Sequence, residues 1–296
     1  MKFTQKQKSN SKAKTVRMIA WIILAVALIF AAVWIYFENK RIDITTYDIC
    51  SEKLPESFDG FTIVQISDFH NNVFGNNNDI LIENIKAEHP DIIVLTGDYI
   101  DSRHTHVDIS VSLTEQLVRI APTYYITGNH ESRIPDALEE LTENFNRLGV
   151  HILRNAAEEI SYKGDTIQII GIDDPDFIDP EKNAAENSEA MKQIICELND
   201  SNRYTLLLSH RPEIFDTYLA TNVDLVLSGH AHGGQFRLPF FGAFYAPGEG
   251  LFPRHAEGMQ TEGSMTMVVS RGLGQSVIPF RINNSPELVT VKLKKE

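Results

Sequence analysis

Asp68-Phe69-His70, Gly97-Asp98-Tyr99-Ile100-Asp101, Gly128-Asn129-His130-Glu131, Ser209-His210 and Gly229-His230-Ala231-His232 carry side chains that bind divalent cations. Mixed Asp, Asn and His donors without thiolate suit Mn²⁺, Fe or Zn²⁺ over copper or a structural zinc. A cation that activates water needs such ligands held in place, with one coordination position left open. Asp98 has two carboxylate oxygens and can bridge two ions about 3.5–4 Å apart, the spacing of two-metal hydrolases. Asn129 offers a neutral oxygen, which tempers the negative charge at the second ion. His230 and His232, two residues apart, can each reach a different ion. Together the five clusters read as a dinuclear metal centre.

Each cluster ends an apolar run that reads as a buried strand: Thr62 to Ile66, Ile92 to Leu95, Tyr124 to Ile126, Leu206 to Leu208 and Leu225 to Leu227. Ligands at the carboxyl ends of neighbouring strands converge on one rim of a sheet, where open α/β folds place their sites. Any one cluster alone reads as a turn or cap; five in register do not. Helical spacing marks Asn78 to Ala87, Pro135 to Leu148 with Gly149 as its stop, and about Pro180 to Leu198. Further strands are expected at His151 to Leu153, Ile167 to Ile172, Thr266 to Ser270 and Leu288 to Leu293. An early βαβ rhythm followed by a β-rich half suggests two packed sheets flanked by helices.

The set DxH, GDxxD, GNHE, SH and GHxH, in this order over residues 62 to 232, resembles the calcineurin-like metallophosphoesterases. Gly97 to Asp101 is similar to the second motif of the protein Ser/Thr phosphatases. Ser102-Arg103 departs from it, since those phosphatases have Arg-Gly there, so a phosphoprotein substrate is not carried over. The run Gly229 to Gln235 and the tail Ser270-Arg271-Gly272-Leu273-Gly274, Pro279, Arg281 and Pro286-Glu287 resemble a narrower group. That group is the bacterial membrane-anchored or exported metallophosphoesterases, some similar to UDP-2,3-diacylglucosamine pyrophosphatases.

The resemblance implies a four-layer α/β/β/α sandwich of two mixed sheets and two divalent ions. One ion would take Asp68, His70, Asp98 and His232; the other would take Asp98, Asn129, His210 and His230. A hydroxide held between them would attack phosphorus in line. His130 would bind no metal and would protonate the leaving oxygen or stabilise the transition state, with Asp101 holding its ring. The chemistry needs these roles independently, because an alkoxide leaving group needs a proton. Arg271 and Arg281 are expected either to grip a substrate phosphate or to make structural ion pairs. His104 and His106 are expected in a solvated loop, and His89, His151 and His255 at the surface or in loops. The aromatics Phe236, Phe240, Phe241, Phe244, Tyr245 and Phe252 are either core or an apolar lip that admits an acyl chain or dips into a membrane.

Residues 1–17 carry Lys2, Lys6, Lys8, Lys12, Lys14 and Arg17 and no acidic side chain. Met18 to Phe37 then runs 20 residues without a charge, just enough at about 1.5 Å per residue to span a bilayer core. Trp21, Trp34 and Tyr36 towards its ends suit the membrane interface. The alternatives are a cleaved signal peptide ending near Ala25-Val26-Ala27, which would leave an apolar tail, and a buried core helix. The expected organisation is a basic cytoplasmic tail (1–17), an anchor (18–37), a linker or edge strand (38–54) and one catalytic domain (55–296). The basic end should stay inside a bacterial cell membrane, with the domain outside. The formal net charge is −13 and the first 17 residues hold +6, leaving −19 for the rest. So acidic a chain disfavours nucleic-acid backbones. Cys50 and Cys196 are read as two unpaired thiols.

The expected activity is metal-dependent hydrolysis of a phosphate ester or pyrophosphate, on a lipid-linked or membrane-proximal substrate. The alternatives are an exported phosphodiesterase of soluble nucleotides, or a non-catalytic metal-binding sensor on a membrane stalk. Intact His130 and Asp101 argue against the sensor, because binding alone needs no proton donor.

Overall fold

The protein is described by a computed structural model covering residues 2–238, 240, 242–275 and 280–296, with side chains from residue 14 onward except 238. Phe241 and Pro279 lie outside the described residues. The chain opens with α1 (Lys2–Glu38) and β1 (Asp43–Ser51). Then come β2 (Thr62–Ile66), α2 (Asp79–Ala87), β3 (Ile92–Thr96), α3 (Val107–Leu117) and β4 (Thr123–Ile126). The short α4 (Asn129–Ser132) leads to α5 (Pro135–Leu148), β5 (His151–Ile152), β6 (Ala156–Tyr162) and β7 (Asp165–Gly171). The second half holds α6 (Ser188–Leu198), β8 (Thr205–Leu208), α7 (Phe215–Leu219) and β9 (Leu225–Ser228). Two small ribbons follow, β10 (Arg237–Leu238) with β11 (Gly242–Ala243) and β12 (Tyr245–Ala246) with β13 (Gly250–Leu251). Last come β14 (Gly258–Glu262), β15 (Met265–Val269) and β16 (Glu287–Lys295).

Two six-stranded mixed sheets result, in the orders β1-β16-β2-β3-β4-β5 and β14-β15-β9-β8-β7-β6. Strand alternation builds three cores from them. On β2 and β3, Ile63, Ile92 and Val94 face the inter-sheet core with Leu206, Leu208, Leu225 and Leu227. Val64, Ile66, Ile93 and Leu95 face outward onto α2, α3 and α5. On the second sheet Ile170, Leu207 and Val226 pack outward with Met191, Ile195 and Tyr218. The layering is helix, sheet, sheet, helix, and both sheets are apolar on both faces, so their parallel strands read as continuous hydrophobic runs.

Of three local features, the last two differ from the sequence expectations. Residues 43–51, inside the 38–54 linker or edge segment, form an edge strand paired in parallel with β16 from Asp43↔Glu287 to Ser51↔Lys295. The helix expected from Pro180 starts only at Ser188. Side chains compete for the backbone ahead of it: Asp179 accepts from Glu181 N, Asn183 and Glu186 bond reciprocally, and Asn187 holds the Pro175 and Asp179 carbonyls. α3 was not anticipated; its apolar residues sit beside Ser110 and Thr114, which are buried.

α1 stands apart from the sandwich. Its Lys14–Glu38 stretch, 25 residues, is the one helix among the described residues long and apolar enough to cross a membrane, and none of its membrane-length window is buried. A buried core helix is therefore ruled out for this segment. The helix is tied to the domain by Asn39, whose amide donates to Arg281 O (2.9 Å) and accepts from Arg281 N (2.8 Å). Cys50 and Cys196 are free and exposed.

Candidate metal centre

The five clusters meet where the strand ends of the two sheets face each other. Gln65 fastens the sheets just below, donating to Thr96 Oγ1 (2.9 Å) and to Ser228 O (2.8 Å). Above it, backbone donors fix the acids: His130 N bonds Asp98 Oδ1 at 2.8 Å, and His230 N bonds Asp68 Oδ1 at 3.0 Å. The approach is close enough to need glycine. A Cβ at Gly128 would lie 2.4 Å from Asp98 Oδ1, and one at Gly229 would lie 1.9 Å from Ser67 Oγ. Asp68, His70, Asp98, His230 and His232 all adopt positive φ, between 47° and 65°. Left-handed backbone is costly for such residues and clusters at sites whose surroundings over-determine it.

All seven expected metal ligands are buried. Three overlapping groups bring their donor atoms within 4.8 Å of one another: Asp68, His70, Asp98 and His232; Asp98, His210 and His230; and His70, Asp101 and His130. Asp98 is common to the first two. His70 Nε2 and His232 Nε2 lie 3.3 Å apart, His232 Nε2 is 3.5 Å from Asp68 Oδ1, and His210 Nε2 is 3.3 Å from Asp98 Oδ2. His210 gives its Nδ1–H to the Thr96 carbonyl at 2.8 Å, which leaves Nε2 as the inward donor atom. That Nε2 and Asn129 Oδ1 are buried without a hydrogen-bond partner among the described residues. Buried polar atoms are normally paired, so these unpaired donor atoms around Asp98 fit a cation, and the shared carboxylate fits two.

The electrostatics agree. Burial holds His70 down at about 3 against the pull of Asp98. Burial, then Arg211 for His230 and His70 for His232, keeps those two rings neutral as well; neutral imidazole is the ligand form. Burial pushes Asp68 up to about 6, with His210 opposing. Asp98 is held well below the carboxylate range despite burial, because His210 and His130 face it, and His210 in turn is pushed up to about 10 by Asp98 against burial. The pocket of acids thus demands positive charge.

His130 sits at the rim, its Nε2 4.0 Å from Asp98 Oδ2 and its ring edge-on to His70 at 4.5 Å between centroids. Ser102 N–H donates to His130 Nδ1 at 3.0 Å, so the neutral ring carries its proton on Nε2, towards the acids. Asp101 Oδ1 is 3.4 Å from the same Nδ1 but is mainly engaged by Arg103, through its backbone N (2.8 Å) and its guanidinium (3.0 and 3.1 Å). Burial opposes protonation of His130, yet Asp98 and Asp101 together raise its pKa.

The two arginines engage partners within the fold. Arg281 is only 1% exposed; its guanidinium donates to the Gly274 and Arg271 carbonyls and lies 3.3 Å from His232 Nδ1. Arg271 pairs with Asp43 and Glu287, each at 3.3 Å. Both guanidinium groups thus engage groups of the fold, while Arg271 Nε has no hydrogen-bond partner among the described residues. His104 and His106 are exposed as expected, whereas His151 is half-buried, bonded to Glu158 and stacked on Tyr124. Phe240, Phe244, Tyr245 and Phe252 are exposed rather than core.

Sequence reasoning missed five supporting residues, Glu131, Arg211, Asp173, Asp174 and Asp176. Glu131 accepts the backbone N–H groups of Asp98, Tyr99, Ile100 and Gly128. Arg211, bonded twice to Asp174 and once to Asp176, reaches His230 Nε2 at 3.0 Å. Asp173 holds Thr127 and Arg154. The signal was present: Asp173-Asp174 also closes an apolar run, Ile167 to Ile172.

Residues 61–234 match the calcineurin-like phosphoesterase family. The chain is 32% identical over 269 residues to YkuE of Bacillus subtilis (strain 168), described as an uncharacterized metallophosphoesterase, covering 88% of each protein. It is 28% identical over 211 residues to the phosphodiesterase YaeI of Escherichia coli (strain K12), covering 69% of this chain and 70% of that one. A Danio rerio transmembrane protein with a metallophosphoesterase domain is 28% identical, over 97% of this chain and 64% of that protein. The chain belongs to the calcineurin-like phosphoesterase family and is a metallophosphoesterase.

Proposed function

We propose that this protein hydrolyses a phosphate ester or pyrophosphate of a lipid-linked substrate at the outer face of a bacterial membrane, with two divalent ions. When bound, the ions supply the Lewis acidity that lowers the pKa of water and neutralises phosphoryl oxygens. Asp68, His70 and His232 would hold one ion, Asn129, His210 and His230 the other, and Asp98 both. His130 gives its Nε2 proton to the leaving oxygen. Ser102 selects that tautomer, and Asp101 steadies the ring while it is charged. The observation that carries the reading is the meeting of unpaired His210 Nε2 and Asn129 Oδ1 around the shared Asp98.

The lipid-linked substrate class is supported by the position of the site relative to α1. A groove of about 420 Å³ runs between α1 and the domain, lined by Ala32, Ile35, Tyr36, Asn39, Asn72 and Phe280. Asn72 lies two residues beyond His70 and bonds Leu273 O at 3.1 Å, so one wall of the groove is the loop that carries a ligand. The exposed aromatics Phe240, Phe244 and Phe252 offer further apolar surface to a membrane or an acyl chain. Six basic residues ahead of the span support an N-terminus inside and a domain outside.

The test is a substrate panel on the detergent-solubilised full chain with Mn²⁺. Dispersed phospholipids and lipid pyrophosphates should turn over faster than soluble nucleotide esters. Equal or better turnover of the nucleotides contradicts the substrate class, and no turnover of any ester contradicts the enzyme assignment of the site.

A further inference from the structure

Glu213 lies in the single turn Pro212–Ile214 that follows the His210-Arg211 loop. Its side chain is 8% exposed, and neither carboxylate oxygen has a hydrogen-bond partner among the described residues. Oε1 is 3.5 Å from Arg211 Nη1 and 4.0 Å from His230 Nε2. Gly248, at φ +80°, closes the other side, where a Cβ would come within 2.5 Å of Oε1. A desolvated carboxylate with empty acceptor sites is costly to keep, so its place beside a ligand histidine calls for a reason.

The reason lies in His230. Arginine only donates, and Arg211 Nη1 lies 3.0 Å from His230 Nε2. In the structure as it stands, Nε2 therefore accepts and the ring proton is on Nδ1. A cation and a guanidinium cannot share one lone pair. An ion held with Asp98 and His210 must use Nδ1, which moves the ring proton to Nε2. That N–H then faces a donor and needs an acceptor.

We propose that Glu213 is the positioning residue of His230: it accepts the Nε2–H when His230 binds the ion, and draws Arg211 Nη1 to itself. Outer carboxylates fix the ring and tautomer of metal-binding histidines in this way. Arg211 keeps its place meanwhile through Nε (2.6 Å) and Nη2 (3.0 Å) on Asp174. The proposal rests on reading Asp98, Asn129, His210 and His230 as the ligands of one ion.

The test is Mn²⁺ binding by calorimetry on the full chain, alongside ¹⁵N-histidine spectra and thermal unfolding of the metal-free protein. Glu213→Gln should weaken one of two sites by about 10–100-fold and leave the other as in the wild type. The metal-free melting temperature should be unchanged or higher, since a buried charge is removed. Glu213→Asp should weaken the same site less, and serves if the Gln variant does not fold. In the loaded wild type the His230 proton should sit on Nε2. Unchanged affinities in Glu213→Gln, or equal loss at both sites, overturn the proposal. Fewer than two ions in the wild type overturn the ligand reading beneath it instead.

Discussion

Glu131 fixes Asp98 through the backbone alone: its carboxylate accepts the N–H of Asp98 at 3.0 Å and those of Tyr99 (2.7 Å), Ile100 (3.1 Å) and Gly128 (2.7 Å). Two strand-end loops, after β3 and after β4, thereby share one fully buried acceptor. The left-handed turn at Asp98 is stabilised at the point where both ions would meet. Glu131→Gln turns one acceptor oxygen into a donor facing N–H groups. Each oxygen serves two N–H groups, so at about 1–3 kcal/mol for each buried donor left unpaired the loss should be about 2–6 kcal/mol. Thermal unfolding should show it as a lowered melting temperature, together with weaker metal retention. An unchanged melting temperature would show that the loops are held by other means.

His130→Ala should keep both ions and lose about 10²–10⁴-fold in turnover of alkyl esters. The loss should be smaller with nitrophenyl esters, whose leaving group departs without a proton. Asp101→Asn should give a lesser deficit of the same kind, because Ser102 still selects the tautomer. Steady-state kinetics on the two ester classes, with metal content measured on the same samples, check this. Normal turnover of alkyl esters by fully metallated His130→Ala contradicts the proton-donor role.

Arg281 distinguishes a structural cation from a substrate grip. Arg281→Met removes the donors that serve the Gly274 and Arg271 carbonyls and loosens the loop lying on Asp68 and His70. Breaking such a buried cluster costs about 3–5 kcal/mol, so the melting temperature should fall, by roughly 2–4 °C per kcal/mol. A raised KM at an unchanged melting temperature would return Arg281 to the substrate.

Protease added to intact cells should digest the domain while a cytoplasmic marker survives, because Lys and Arg crowd the N-terminal side of α1. Protection of the domain until lysis reverses the orientation.

Most of the centre was legible because strand and ligand signals coincide. Ile92 to Leu95 announces a buried strand, and Gly97-Asp98 says what stands at its end. What eluded the sequence is whatever depends on long-range partners. Nothing local to Arg281 shows that its guanidinium will be buried against Gly274, since the contact is made by folding the tail back onto the His70 loop. Glu131 sits in full view in Gly128-Asn129-His130-Glu131, yet its role needs the loop after β3 to be delivered to it. The late start of α6 has the opposite origin: Asp179, Asn183 and Asn187 are strong local backbone competitors, and their polar spacing was outweighed by an apolar periodicity.

The central claim is a centre of two ions sharing one carboxylate, and Asp98 tests it most directly. Elemental analysis of the purified full chain should find two divalent ions per wild-type chain. Asp98→Asn should lose metal and hydrolysis together, because one side chain serves both positions. Two ions and full hydrolysis in Asp98→Asn, or no more than one ion in an active wild type, would contradict the account.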